Sequence, residues 1–241
     1  MKKIIIAILA ITLFTTTAIQ AQGLKDLINK ATGKSTVIGN LTSDEVGKGL
    51  KQALSIGVKN GAEKLANVDG FLGNAAVKIL LPPEAQKVEQ KLRALGFNTQ
   101  VDAAVTSLNR AAEDAAKSAA PIFVNAITNM SITDAFGILK GNDSAATTYL
   151  KGKTTTALTA AFSPVIDSSL SKVGATQLWN ALFANYNKIP FIKKVNPDLK
   201  GYVTDRALSG MFYQVAQEEA KIRTNPAAQT TNLLKKVFGS K

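Results

Sequence analysis

The feature that most constrains this chain is a run of paired alanines from Asn109 to Ala120, NRAAEDAAKSAA. The doublets recur every four residues, at Ala111-Ala112, Ala115-Ala116 and Ala119-Ala120. Because a helix has about 3.6 residues per turn, the doublets fall nearly in line and form a stripe with little side-chain bulk. Neighbouring helices can approach such a stripe closely. The pattern therefore predicts the inside of a helical domain and carries no chemistry of its own.

Apolar residues recur at helical spacing along most of the chain, and no segment has a convincing strand pattern. Thr42 and Glu45 match a capping box at a helix start, and Pro83 suits the first turn of another helix. Pro121 and Pro164 are expected to kink or break the helices that contain them. We therefore expect an all-α, single multi-helix bundle-like domain of about eight or nine helices over residues 41–239.

The first 21 residues have the layout of a signal peptide. Lys2 and Lys3 precede Ile4–Phe14, an uncharged and mostly apolar run of 11 residues, whereas a membrane-spanning helix needs roughly 20. Ala21 is a suitable small residue before a cut. An uncleaved anchor is the alternative. Cleavage would leave residues 22–40 as a flexible lead-in and a mature chain of 220 residues.

We expect an exported, soluble periplasmic protein. A lipoprotein is excluded because its processing requires a cysteine, and the chain has none. No later segment reaches 18 consecutive apolar residues, so no transmembrane segment is expected after the leader is cleaved.

The chain also contains no histidine. Together these two absences exclude serine-histidine and cysteine-histidine catalysis, ordinary zinc sites and common haem ligation. We expect no metal site and no cofactor, and no complete catalytic motif is present. Ser169 and Lys172 have the spacing of a serine-lysine dyad, but the partner motifs of that enzyme class are missing. A pair of acids assembled across helices leaves no pattern in the sequence.

The positive net charge favours an anionic partner. Loss of the leader lowers the net charge from +12 to +10, which suits anionic lipids or acidic envelope polymers. The alternative is a solvated surface with dispersed lysines. Nucleic acid is not expected outside the cytoplasm.

Candidate binding residues lie mostly in the late, aromatic-rich part of the chain, where cations and rings alternate. Aromatic and cationic side chains together can bind lipid heads or sugar phosphates, although aromatics at helical spacing are also typical of a core. Arg110, in the alanine run, could pair with Glu113 or Asp114 or could anchor an anionic ligand. The full set of candidates is Arg110, Trp179, Lys188, Lys193, Lys194 and Arg206.

Several segments together resemble a bacterial family catalogued as domain of unknown function 4197. They include DGFLGNAAVKILLP, LNRAAEDAA, PIFVNAI, DSAATTYLKGKT, NPDLKGYVTDRALSGMF, EEAKIR and TTNLLKKVFG, and they extend from about Leu41 to Gly239. The resemblance implies an exported protein with one helical domain. It implies no activity, ligand or catalytic residue.

Three functions are compatible with these observations. The first is a non-enzymatic binding protein for an anionic or amphipathic envelope component. The second is a carboxylate-dependent hydrolase of envelope glycans, which requires two acids in one cleft. The third is a structural or assembly partner in the periplasm.

Overall fold

The structure is a computed structural model that describes residues 42–177, 179–180, 187–188, 194, 198–225, 228–229 and 235. Within these residues every regular element is helical and none is a strand, which confirms the predicted all-α class. The leader and the lead-in lie outside this part of the chain.

Seven α-helices have both ends in the described residues, and a short 3-10 helix, Pro83–Ala85, precedes the second. Residues 175–177 and 179–180 are helical as well. The seven helices are α1 Ser43–Ala66, α2 Gln86–Ala94, α3 Asn98–Ala116, α4 Ala119–Thr128, α5 Ile132–Lys140, α6 Ala145–Lys172 and α7 Leu199–Thr224.

Helix α6 is central to the packing, since it contacts α3, α4, α5 and α7. Its buried residues recur at every fourth position, as Ala146, Leu150, Thr154, Leu158, Phe162, Ile166 and Leu170. A four-residue step overshoots one helical turn by about 40°, so this stripe winds around the helix. One narrow line of buried side chains can therefore meet several neighbouring helices in succession.

Local sequence signals explain several helix ends. Thr42 Oγ1 accepts from the Glu45 N–H at 3.2 Å while the Thr42 N–H donates to the Glu45 carboxylate at 2.9 Å, which confirms the predicted capping box. Ser131 and Asp134 form a second capping box at the start of α5. Gly96, which follows α2, has φ of 91°, a left-handed conformation that favours glycine.

The alanine run is divided between two helices, and the break between them lies earlier in the sequence than predicted. We expected a helix through Ala120 that bends or restarts at Pro121, but α3 ends at Ala116 and α4 begins at Ala119. A proline ring clashes with the carbonyl four residues earlier, which here belongs to Lys117. The helix is therefore interrupted at Lys117, and Pro121 lies in the first turn of the next helix, α4. Helix α6, by contrast, continues through Pro164.

Two glycines of α1 allow a close approach to α7. A Cβ at Gly57 would lie 3.2 Å from Cδ1 of Ile222, and one at Gly61 would lie 3.3 Å from Cγ of Gln214. Both contacts are tight for real side chains. Gly57 and Gly61 therefore let α1 lie close to α7 at both positions.

The chain divides at residues 45 and 46 into two units. The second unit contains every feature described below. In the described part of the chain, no single helix is long and apolar enough to cross a membrane. Only one bent pair, Asn98–Thr128 with Ile132–Lys140 at 106°, meets those criteria jointly, and core helices of soluble proteins can also meet them.

Candidate functional site

The C-terminal half of α3 holds the irregular segment that connects α1 to the 3-10 helix. The buried Asn109 side chain accepts from the Ile79 N–H and donates to the Ile79 carbonyl, both at 2.8 Å. One helical turn later, Glu113 Oε1 accepts from the N–H groups of Phe71 and Leu72 at 3.1 and 3.2 Å. Backbone groups in an irregular segment lack the partners that a helix or a sheet would provide. The side chains of Asn109 and Glu113 provide them here.

Arg110 completes this arrangement. Its guanidinium donates to the carboxylates of Glu113 and Asp69, and these hydrogen bonds raise the pKa of Arg110. The ion pair with Glu113 that the sequence suggested is therefore present. Because two carboxylates already occupy the guanidinium, the structure gives Arg110 a positioning role for the turn at Asp69. Its role as an anchor for an anionic ligand stays a prediction.

Glu113 is a charged residue among the buried residues of α3. It is only 3% exposed, next to alanines that are 0–1% exposed. The carboxylate is stabilised there because it accepts two backbone N–H bonds and pairs with Arg110. The motif LNRAAED is thus a clamp on the preceding loop.

The other two buried acids are also fully engaged. Glu219 accepts from the N–H groups of Ala146 and Thr147 at 3.0 and 2.9 Å, so it caps the start of α6. Arg223 pairs with Glu219 and also donates to the Ile138 carbonyl at 2.9 Å, near the end of α5. Glu218 accepts from Gln214 and Lys221. The Glu219 and Arg223 contacts join helices, those of Glu218 lie within α7, and both carboxylates are committed to the fold.

An apolar cavity of about 280 Å³ lies beside the N-terminal half of α3. Its walls come from the 3-10 helix, α2, α3, the helical segment around Ala175 and the first residue of α7. The lining residues are Leu81, Ala85, Val88, Glu89, Leu92, Phe97, Gln100, Val101, Ala104, Ser107, Leu108, Ala175, Trp179 and Leu199. Such a volume is close to the lower end of the range of about 300–1,000 Å³ for ligand sites.

The polar groups of this cavity are few and mostly satisfied. Glu89 binds Arg93 within α2 at 3.0 Å, and the Ser107 hydroxyl donates to the Ala104 carbonyl at 2.7 Å. An apolar cavity holds water poorly, because water needs two to four polar partners. The cavity is therefore suited to hydrocarbon.

Large apolar side chains are exposed at the mouth of the cavity. Leu92 and Phe97 line it and are 37% and 45% exposed, and the neighbouring Leu95 is 73% exposed. Helix α2 has no buried residue, so it covers the cavity without being part of the core. Arg93 fixes it to α3 through a 2.8 Å ion pair with Asp102.

The predicted binding residues are not all in one place. Trp179 is 8% exposed and lines the cavity. Arg206 is exposed on α7, and Lys188 and Lys194 are exposed as well. Lys193 lies outside the described residues, and Arg110 belongs to the clamp. Of the predicted residues that the structure describes, Trp179 alone is part of the cavity wall.

Sequence reasoning missed most of that wall. The sequence analysis singled out Trp179, but it did not single out Ala104, Ser107 or Gln100. The available signal was the apolar sequence at the α2–α3 junction, where Leu92 and Leu95 share one helix face and Phe97 adds another large apolar side chain directly after the helix.

A second groove, of about 490 Å³, contains the serine-lysine spacing noted above. Its lining includes Ser169, Lys172 and Asp114. The Ser169 hydroxyl donates to Asp114 at 3.3 Å, and the bond from Lys117, with that from Ser169, lowers the pKa of Asp114. A carboxylate with a lowered pKa is a weak base. This geometry does not support a serine nucleophile activated by Lys172.

The cavities also bear on the hydrolase alternative, which requires two carboxylates facing one substrate bond. The apolar cavity contains Glu89, the groove contains Asp114, and a small void beside α1 contains Glu219. None of these three sites has a second acid among the described residues. The same part of the chain contains no cluster of three or more acids that could bind a metal.

The described residues thus define an all-α protein with an apolar cavity between its helices. A model of the family described as "Protein of unknown function (DUF4197)" matches residues 40–239. The chain belongs to this family, as the segments quoted above indicated. No curated protein and no solved structure gives a significant match.

Proposed function

We propose that the protein is an exported, non-enzymatic binding protein for an amphipathic component of the cell envelope. The hydrocarbon part of the ligand occupies the apolar cavity beside α3. The observation that carries this proposal is the cavity itself, with Leu92 and Phe97 exposed at its mouth. Exposed apolar groups next to an apolar cavity are typical of sites that take up a hydrophobic ligand.

Trp179 provides a direct test, because it lines the cavity and is the only tryptophan in the chain. Titration with decanol, a short single-chain amphiphile, should change the intrinsic fluorescence of the protein and saturate. Unchanged fluorescence, with no decanol bound in equilibrium dialysis, would contradict the proposal.

Two alanines of α3 offer matched variants. Ala104 lines the cavity, whereas the adjacent Ala103 is exposed and does not. Ala104→Leu should displace about two methylene groups of ligand, each worth about 0.8 kcal/mol, and so weaken decanol binding roughly tenfold. Ala103→Leu should bind like the parent protein. Equal affinities for both variants would place the ligand elsewhere.

The export part of the proposal rests on residues 1–21 and has its own test. Expression of the full chain in a Gram-negative host, followed by osmotic shock, should release a mature form that begins at Gln22. N-terminal sequencing of the released protein would establish the cut. Retention of the uncleaved chain in the membrane fraction would support the anchor alternative instead.

A further inference from the structure

Arg206 differs from the other arginines of the chain. All four arginines lie in the described residues, and Arg93, Arg110 and Arg223 each pair with at least one carboxylate. Arg206 is exposed and forms no ion pair or hydrogen bond in that part of the chain. Its guanidinium is therefore available to an external anion.

Arg206 lies on the same side of α7 as a residue of the cavity wall. Leu199 lines the cavity, and a seven-residue step along a helix returns to nearly the same side about 10 Å further on. Tyr202 lies between the two, and its hydroxyl donates to the Leu80 carbonyl at 2.9 Å. Leu80 precedes Leu81, which is another wall residue.

Electrostatic effects on Tyr202 agree with this placement. Burial raises the pKa of Tyr202, the positive charge of Arg206 lowers it, and the negative charge of Glu84 raises it. Both charged groups are therefore close enough to act on the phenol. Leu81 is a half-buried residue of the cavity wall, and the adjacent Leu80 is 53% exposed, so this edge of the cavity lies beside Tyr202 and near both charges.

We propose that Arg206 binds the anionic head of a single-chain amphiphile whose tail lies in the apolar cavity. Arginine donates paired hydrogen bonds to carboxylate or phosphate oxygens. Because Glu84 opposes anions at the same place, a singly charged carboxylate fits this site better than a multiply charged phosphate. This inference rests on the proposed function, and it specifies the head group.

The test compares two ligands that have the same tail. Decanoate, in its ionised form and below its micelle concentration, should bind the parent protein about two- to fivefold more tightly than decanol, as measured by Trp179 fluorescence. Arg206→Gln should remove this preference while leaving decanol affinity unchanged. Arg206→Lys should retain part of it, and Glu84→Gln should increase it.

Lys200→Gln is the matched control, because it removes one charge from another side of α7 and should preserve the preference. High salt should reduce the preference of the parent protein. Equal affinity for decanoate and decanol, or a preference that survives Arg206→Gln, would overturn the role of Arg206 and leave cavity binding intact. Binding of neither ligand would overturn both the proposed function and this inference.

Discussion

The two halves of α3 have opposite relations to their surroundings. The C-terminal half, Asn109–Ala116, is closely packed, with alanines at 0–1% exposure and two side chains bonded to the backbone of a distant loop. The N-terminal half lines a cavity of about 280 Å³. One helix therefore provides both a rigid support and an incompletely filled site. The comparison indicates that the most regular sequence pattern of α3 marks the packed support, while the cavity proposed to bind a ligand lies beside the less regular half.

The strongest test of the rigid half is Asn109→Ala. This change leaves the buried N–H and carbonyl of Ile79 without their partners. Since each unsatisfied buried group costs about 1–3 kcal/mol, we expect a loss of about 3–5 kcal/mol in the free energy of unfolding by denaturant titration. Asn129→Ala, at an exposed amide, should change it by less than about 0.5 kcal/mol. Similar small effects for both variants would show that the clamp contributes little to stability.

A second test makes the same substitution in both halves of the helix. Ala115→Leu adds bulk where the side chain is 0% exposed, and overpacking should cost about 1–3 kcal/mol. Ala116→Leu should behave similarly. Ala104→Leu extends into the cavity instead and should change stability by less than about 0.5 kcal/mol. Thermal melting of the three variants measures the contrast. An unchanged melting temperature for both Ala115→Leu and Ala116→Leu would mean that the stripe is not a packed surface.

Much of the fold could be predicted because its signals are local. Helical spacing, the Thr42–Glu45 cap and the left-handed turn at Gly96 each depend on a few consecutive residues. The alanine doublets also indicated close packing, because side-chain size and helical period are enough to infer it.

The clamp and the cavity could not be predicted in the same way. Asn109 bonds to a residue 30 positions away and Glu113 to one 42 positions away, and neither pairing leaves a periodic signal. The cavity wall combines separate elements, so Ala104 and Trp179 become neighbours only after folding. Arg206 was predicted from its charge among aromatic residues, but only the structure shows that it has no ion pair with the described residues.

The smallest expected effect concerns the loop that the rigid half of α3 holds in place. Phe71, in that loop, packs against Gly210 of α7, where an added Cβ would lie 2.7 Å from the ring. In an open helix, glycine to alanine stabilises by up to about 1 kcal/mol. At Gly210 the clash should reverse the sign, because Phe71 is fully buried and cannot move freely. We expect a net loss of about 1 kcal/mol.

Gly152 of α6 is the matched control, since a Cβ there meets nothing within 4 Å. Gly152→Ala should raise the melting temperature, whereas Gly210→Ala should lower it. Opposite signs for one chemical change would show that the loop is held firmly against α7 as well as α3. If both variants were stabilised, Phe71 could move at little cost, and the contrast between a rigid support and an adaptable cavity would be weaker than the packing implies.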